Sequence, residues 1–170
     1  MTQKCDIGLM GLAVMGQNLV LNMEDHGFSV AVYNRTTSKM EEFVDSDEVK
    51  GKNRKIVGCK TLEELVASLE KPRKVMLMIK SPDAIPALET KLYPEASPID
   101  SVIEQLIGLM DPGDVIIDGG NTQFQDTERR TKCVEAAGLL YIGTGVSGGK
   151  KAPDSDRASC PAEAKRRGPW

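Results

Sequence analysis

Six short apolar runs punctuate the chain, at Asp6 to Met10, Ser29 to Tyr33, Ile56 to Cys59, Lys74 to Ile79, Asp114 to Asp118 and Leu139 to Ile142, and helical patterns separate most of them. Strands that alternate with helices in this way pair in parallel, because each crossover returns the chain to the same end of the sheet. Val75-Met76-Leu77-Met78-Ile79 and Val115-Ile116-Ile117 are continuously apolar, the pattern of strands covered by helices on both faces, so these two are expected to be central. Thr61 followed by Glu64 has the spacing of a helix capping box, and the segment from Asp126 to Ala137 has a charged outer face and stops at Gly138. The expected fold is α/β, a doubly wound, mostly parallel sheet of the Rossmann-like, dinucleotide-binding kind.

Between the first apolar run, Cys5 to Met10, and the helical run Gln17 to His26 lies Gly11-Leu12-Ala13-Val14-Met15-Gly16. Its GxAxxG spacing is a variant of the dinucleotide fingerprint. Gly11 permits the tight turn, Ala13 is small enough for backbone to approach a pyrophosphate, and Gly16 lets the helix sit on the strand. The free N–H groups and positive dipole end of the helix favour phosphate there. At the end of the second run, where NAD enzymes usually carry an acidic residue, the chain has Asn34-Arg35-Thr36. A guanidinium at that point pairs with a 2′-phosphate that a carboxylate would repel, so the expected cofactor is NADP.

Ligands of doubly wound sheets collect at the C-terminal ends of the strands. Lys80 follows the fourth run directly, Asp118-Gly119-Gly120-Asn121 closes the fifth, and Gly143-Thr144-Gly145-Val146-Ser147-Gly148-Gly149 closes the sixth. Three polar or glycine-rich loops are therefore expected on one edge. Asn121, with a donor and an acceptor, suits a carboxamide or a hydroxyl.

A chain of 170 residues holds one well-buried domain and is short for two. The net charge of -3 with both signs interspersed argues against a nucleic-acid surface, and the basic run Lys165-Arg166-Arg167 reads as solvated tail. No apolar segment is long enough to span a bilayer and no signal-peptide core is present, so a cytoplasmic protein is expected. Cys5, Cys59, Cys133 and Cys160 are far apart without CxxC spacing; they are expected to be reduced packing residues, and no metal site is expected. His26, before Gly27, fits a helix C-terminus better than catalysis.

The ordered set GLAVMGQNL, YNRT, KVMLMIK, VIIDGGN, DTERR and GVSGG, between Asp6 and Gly149, closely resembles 6-phosphogluconate dehydrogenase, the decarboxylating NADP enzyme of the pentose phosphate pathway and of gluconate utilization. Hydroxyisobutyrate-type dehydrogenases share the early glycine turn and are the alternative. The resemblance implies cofactor contacts from Gly11, Leu12, Ala13, Val14, Met15 and Gly16, from Asn34, Arg35 and Thr36 around the 2′-phosphate, and from Ile79 and Lys80. It implies that Asn121 touches both cofactor and sugar acid, and that Ser147, Gly148 and Gly149 line the substrate site. In the family's reaction, hydride passes from C3 of 6-phosphogluconate to NADP, the 3-keto acid loses carbon dioxide, and the enol becomes ribulose 5-phosphate. Oxidation precedes decarboxylation because the new carbonyl receives the electrons of the departing carboxylate as an enolate.

Two departures qualify the resemblance. An insertion from Ser81 to about Ser97, read with Pro82, Pro86, Pro94 and Pro98, is expected to be a loop on the ligand edge with at most one helical turn around Ala87 to Lys91. After VSGG the family reads approximately EEGARYGPSLMPGG, whereas this chain gives KKAPDSDRASCPAEAKRRGPW. Family-like codons stripped of their first base translate as the run from Lys150 to Cys160, so residues 150–170 are expected to be an out-of-frame, disordered tail after a domain spanning residues 1–149. The family's base lysine, acid glutamate and dimer-forming helical domain lie beyond VSGG. The chain is accordingly expected to carry no catalytic residue, to have little turnover alone, and to lack the family's homodimer contact; the competing expectation is a catalytically dead NADP-binding fragment.

Overall fold

The computed structural model describes residues 4–79, 98–120 and 124–146. Six strands, β1 (Ile7–Met10), β2 (Val30–Tyr33), β3 (Ile56–Cys59), β4 (Lys74–Leu77), β5 (Val115–Asp118) and β6 (Leu140–Gly143), alternate with α1 (Val14–Asp25), α2 (Thr37–Val44), α3 (Leu62–Ala67), α4 (Pro98–Leu109) and α5 (Phe124–Ala136). The strands form one sheet in the order β3-β2-β1-β4-β5-β6, and every pairing is parallel. The chain starts in the middle, winds out to β3, returns, and winds out the other way from β4. This is the doubly wound, Rossmann-like α/β fold, and its switch point lies between β1 and β4.

Side-chain alternation along the strands sorts the core into two layers. Leu9, Val30, Val32 and Met76 face Val20 of α1 and Met40 and Phe43 of α2. Met10, Ala31, Val75, Leu77 and Ile116 face Leu65 of α3, Ile99, Ile103 and Leu106 of α4, and Val134 of α5. The cap expected at Thr61 is present, with its side chain accepting from the Glu64 N–H at 3.1 Å. The Glu64 carboxylate reaches back one residue further than a standard box, to the Lys60 N–H at 2.7 Å.

Three expectations need correction. Helix α1 begins at Val14, three residues before the predicted start, because the glycine turn itself runs into the first helical turn. On β5 only Ile116 and Asp118 are buried, with Val115 and Ile117 half-buried. Their face continues to Leu140 and Ile142 of β6, both exposed. An unbroken apolar run therefore did not mark a strand covered on both faces. Cys133 is exposed, whereas Cys5 and Cys59 are buried. It is not a packing residue because it falls on the outer side of α5, beside buried Val134. His26 closes α1 as expected, its ring Nδ1 lying 2.7 Å from Asn22 O, and Gly27 adopts φ +94°. Among the described residues no helix is long and apolar enough to cross a membrane.

Candidate functional site

Parallel register brings Met10, Tyr33, Leu77, Asp118 and Gly143 to one rim of the sheet. The loops that leave this rim stay tied to it by backbone hydrogen bonds. Gly11 N–H donates to Tyr33 O at 3.0 Å, Met78 N–H to Met10 O at 2.7 Å, Gly119 N–H to Leu77 O at 2.9 Å and Thr144 N–H to Asp118 O at 2.8 Å.

The turn after β1 requires its small residues. Gly11 has φ +103°, a region L side chains rarely adopt, and a Cβ there would lie 2.5 Å from Met78 O. A Cβ on Gly16 would collide with the Gly11 carbonyl oxygen. Ala13 is the N-cap of α1, extended at φ -74° and ψ 174°, with no side chain capping the helix and no acidic residue in the first turn. The helix start thus keeps uncapped N–H groups and an uncompensated positive dipole end. Leu12 is buried, but Val14 and Met15 are 64% and 37% exposed, unusual for large apolar side chains beside a buried glycine and leucine.

The two peptides that flank Leu12 are each held by a side chain. Leu12 N–H donates to Asn34 Oδ1 at 3.1 Å, and Leu12 O accepts from Gln17 Nε2 at 3.1 Å. The Asn34 amide nitrogen in turn donates to Thr36 O at 3.0 Å, so Asn34 joins the turn after β1 to the turn after β2. Arg35 lies between, exposed, and among the described residues it has no ion-pair partner. Gln17 was not singled out from the sequence. A polar residue directly after the last glycine, in the first turn of a helix with a buried face, was the available signal.

At the end of β5 a buried polar network supports the Gly119-Gly120 turn. Asp118 is 1% exposed; its Oδ1 accepts from Gly120 N–H at 2.9 Å and its Oδ2 from the Tyr141 hydroxyl at 2.7 Å. Arg130, 2% exposed, approaches Asp118 Oδ2 at 3.5 Å and donates to Asp100 Oδ1 at 2.8 Å. Burial, then the adjacent Asp118 carboxylate, pushes the Tyr141 hydroxyl far above the usual phenol value, so it remains a donor at any physiological pH. Gly119 meets this support from the other side, where an added Cβ would lie 2.6 Å from Met78 Sδ. The charged run DTERR suggests an outer face of α5. Arg130 instead lies four residues before buried Val134, a helical spacing that places it on the inner side.

The structure brings Gly11, Leu12, Ala13, Val14, Met15, Gly16, Asn34, Arg35 and Thr36 together at the rim. Ile79 joins them, its backbone nitrogen 3.5 Å from the position of a Gly11 Cβ. Lys80, the insertion 81–97, Asn121, Ser147, Gly148, Gly149 and the tail 150–170 lie outside the described residues.

Residues 6–160 match the family described as the NAD binding domain of 6-phosphogluconate dehydrogenase. Over 148 residues the chain is 52% identical to the decarboxylating 6-phosphogluconate dehydrogenase of Dictyostelium discoideum, which covers 87% of this chain and 27% of that protein. The human counterpart is 47% identical over the same length, with the same coverage. The chain thus spans about a quarter of the length of these relatives. Among solved structures, 6-phosphogluconate dehydrogenase of Plasmodium falciparum, studied in apo form and with NADP+ or 6-phosphogluconate, superposes with a TM-score of 0.71 at 43% identity, covering 86% of this chain and 28% of that one. A 3-hydroxyisobutyrate dehydrogenase of Mycobacterium tuberculosis shares the fold, with a TM-score of 0.61 at 16% identity over 87% of this chain and 42% of that one. With its glycine turn, its rim and its length of match all in agreement, the chain belongs to the family of NAD-binding domains of 6-phosphogluconate dehydrogenases.

Proposed function

We propose that this chain binds NADP at the rim formed by the turns after β1, β2 and β4, as the coenzyme-binding part of a 6-phosphogluconate dehydrogenase. The observation that carries the reading is Arg35, exposed at the end of β2 without a carboxylate partner among the described residues, one residue from the Asn34 side chain that reaches the phosphate turn. A guanidinium there supplies two or more charge-assisted donors to a 2′-phosphate. Gly11, Ala13 and Gly16 leave room for the diphosphate against the uncapped start of α1, with Leu12, Val14 and Met15 completing that wall. Thr36 and Ile79 flank the two ends.

On the motif resemblance, Lys80 and Asn121 extend the cofactor contacts, and Asn121, Ser147, Gly148 and Gly149 contact 6-phosphogluconate. NADP, when bound, supplies the carbon that accepts hydride; these residues bind and orient. The reading further places the protein in the cytoplasm, in pentose phosphate metabolism and gluconate utilization. It assigns the chain binding roles and no catalytic group, and it treats residues 150–170 as an out-of-frame tail. A genomic frame that encodes KKAPDSDRASC with no overlapping EEGARFGPSLMP frame refutes the last point.

Thermal unfolding in the presence of NADP tests the function. A ligand bound only by the native state at a hundredfold excess over its Kd stabilises by about 2.7 kcal/mol, which raises the Tm of a chain this size by roughly 5–10 °C. An unchanged Tm in millimolar NADP contradicts the reading.

A further inference from the structure

Leu12 sits in the middle of the phosphate turn, and side chains take the N–H of the peptide before its Cα and the carbonyl of the peptide after it. Asn34 Oδ1 accepts from its N–H and Gln17 Nε2 donates to its carbonyl, each at 3.1 Å. The Leu12 side chain is buried, so the residue is anchored at its N–H, its carbonyl and its side chain. Gln17 stands one turn into α1, and its own backbone N–H makes the first helical bond, to Ala13 O at 3.0 Å. The side-chain contact is therefore additional to the helix and closes a ring from the first helical turn back over the glycine turn.

The consequence is electrostatic. A diphosphate is held at a helix start by N–H groups, and any carbonyl oxygen that swings toward it adds a repelling partial charge. The Leu12 carbonyl belongs to the Leu12–Ala13 peptide, which leads directly into Ala13, the N-cap of α1, so a turn of that peptide would bring its oxygen toward the helix start. An amide donor on Leu12 O fixes that carbonyl on the protein side. We propose that Gln17 is a positioning residue for the diphosphate of the dinucleotide, a role that rests on the NADP reading above and differs from that of Arg35, which meets the 2′-phosphate.

This division of labour gives a specific test. Gln17→Met keeps the length of the side chain and removes the donor; Gln17→Glu keeps its shape and sets an acceptor against an acceptor. The unaltered chain and both variants are titrated by calorimetry with NADP and with 2′-AMP, which carries the 2′-phosphate but no diphosphate. Loss of one positioned hydrogen bond predicts NADP binding weaker by about fivefold to tenfold in Gln17→Met, and weaker still in Gln17→Glu. The 2′-AMP affinity is expected to stay within about twofold in both; because only folded protein binds it, this also shows that the variants are folded. NADP affinity unchanged in the variants, or NADP and 2′-AMP weakened by the same factor, overturns the proposal alone. Failure of the unaltered chain to bind either ligand overturns the NADP reading and the proposal with it.

Discussion

Asn34 accepts a hydrogen bond from the Leu12 amide at 3.1 Å, across 22 positions of sequence, and so locks the turn after β2 to the turn after β1. The same side chain donates to Thr36 O. One carboxamide thereby sets the distance between a diphosphate-binding turn and the guanidinium that follows it. Asn34→Asp retains the acceptor for Leu12 but loses the donor to Thr36 and places a negative charge beside Arg35. NADP affinity is expected to fall more than NAD affinity, by roughly tenfold for the lost charge complementarity; fluorescence titration with both dinucleotides checks it.

Arg35 carries the cofactor preference. Arg35→Asp exchanges a charge-assisted pair for a repulsion and is expected to weaken NADP by roughly ten- to hundredfold while leaving NAD within a few-fold. Equal weakening of the two dinucleotides would count against the 2′-phosphate contact.

Gly11 is expected to tolerate no side chain. Gly11→Ala combines φ +103° with a Cβ 2.5 Å from Met78 O, and the strain is expected to cost about 2 kcal/mol or more. Urea unfolding measures the stability loss. The accompanying displacement of the turn is expected to abolish dinucleotide binding even at temperatures where the variant is folded.

The support under the Gly119-Gly120 turn makes a graded prediction. Tyr141→Phe removes one hydroxyl donor from Asp118 and is expected to lower stability by about 1 kcal/mol. Asp118→Leu removes the acceptor of both the Tyr141 hydroxyl and the Gly120 N–H and takes one of two carboxylates from buried Arg130, which keeps Asp100; it is expected to cost about 3 kcal/mol or more. Equal losses in the two variants would mean that Asp118 does not balance Arg130.

At the other end of β5, directly before its first residue, Asp114 gives a pH dependence. Burial opposes its ionisation, but backbone N–H groups of Asp111 and Arg73 and the Arg73 guanidinium, at 3.0, 2.7 and 2.9 Å, hold its pKa below the usual carboxylate value. A depressed folded-state pKa contributes stability that is present above the unfolded value, about pH 4, and is lost as pH falls through the lower folded value. Asp114→Asn is expected to cost about 2–3 kcal/mol at pH 7. The gap to the unaltered chain should narrow below about pH 4, where the unfolded carboxylate takes up a proton that the native one still refuses, and stop narrowing below the lower folded value. Urea midpoints between pH 7 and pH 3 read both effects.

Much of this was legible in the sequence, for identifiable reasons. Strands β1 to β6 lie within or one residue beyond their apolar runs, because period-two burial and β-branched residues act locally. The glycine turn was legible because φ > 0 and close backbone approach demand particular residues at particular spacings. Long-range partners were not. Nothing local marks Arg130 and Tyr141 as the buried partners of Asp118; these contacts exist only once β5, β6 and α5 are assembled. The exposed face of Leu140 and Ile142 was equally hidden, since an apolar run reports what a strand can bury and not what stands against it.

A crystal structure of the chain with NADP shows directly whether the rim holds the dinucleotide. The diphosphate is expected against the N–H groups that open α1, and the 2′-phosphate within hydrogen-bond distance of the Arg35 guanidinium. A rim without dinucleotide at saturating concentration, or a 2′-phosphate in solvent with Arg35 turned away from it, would contradict the NADP reading.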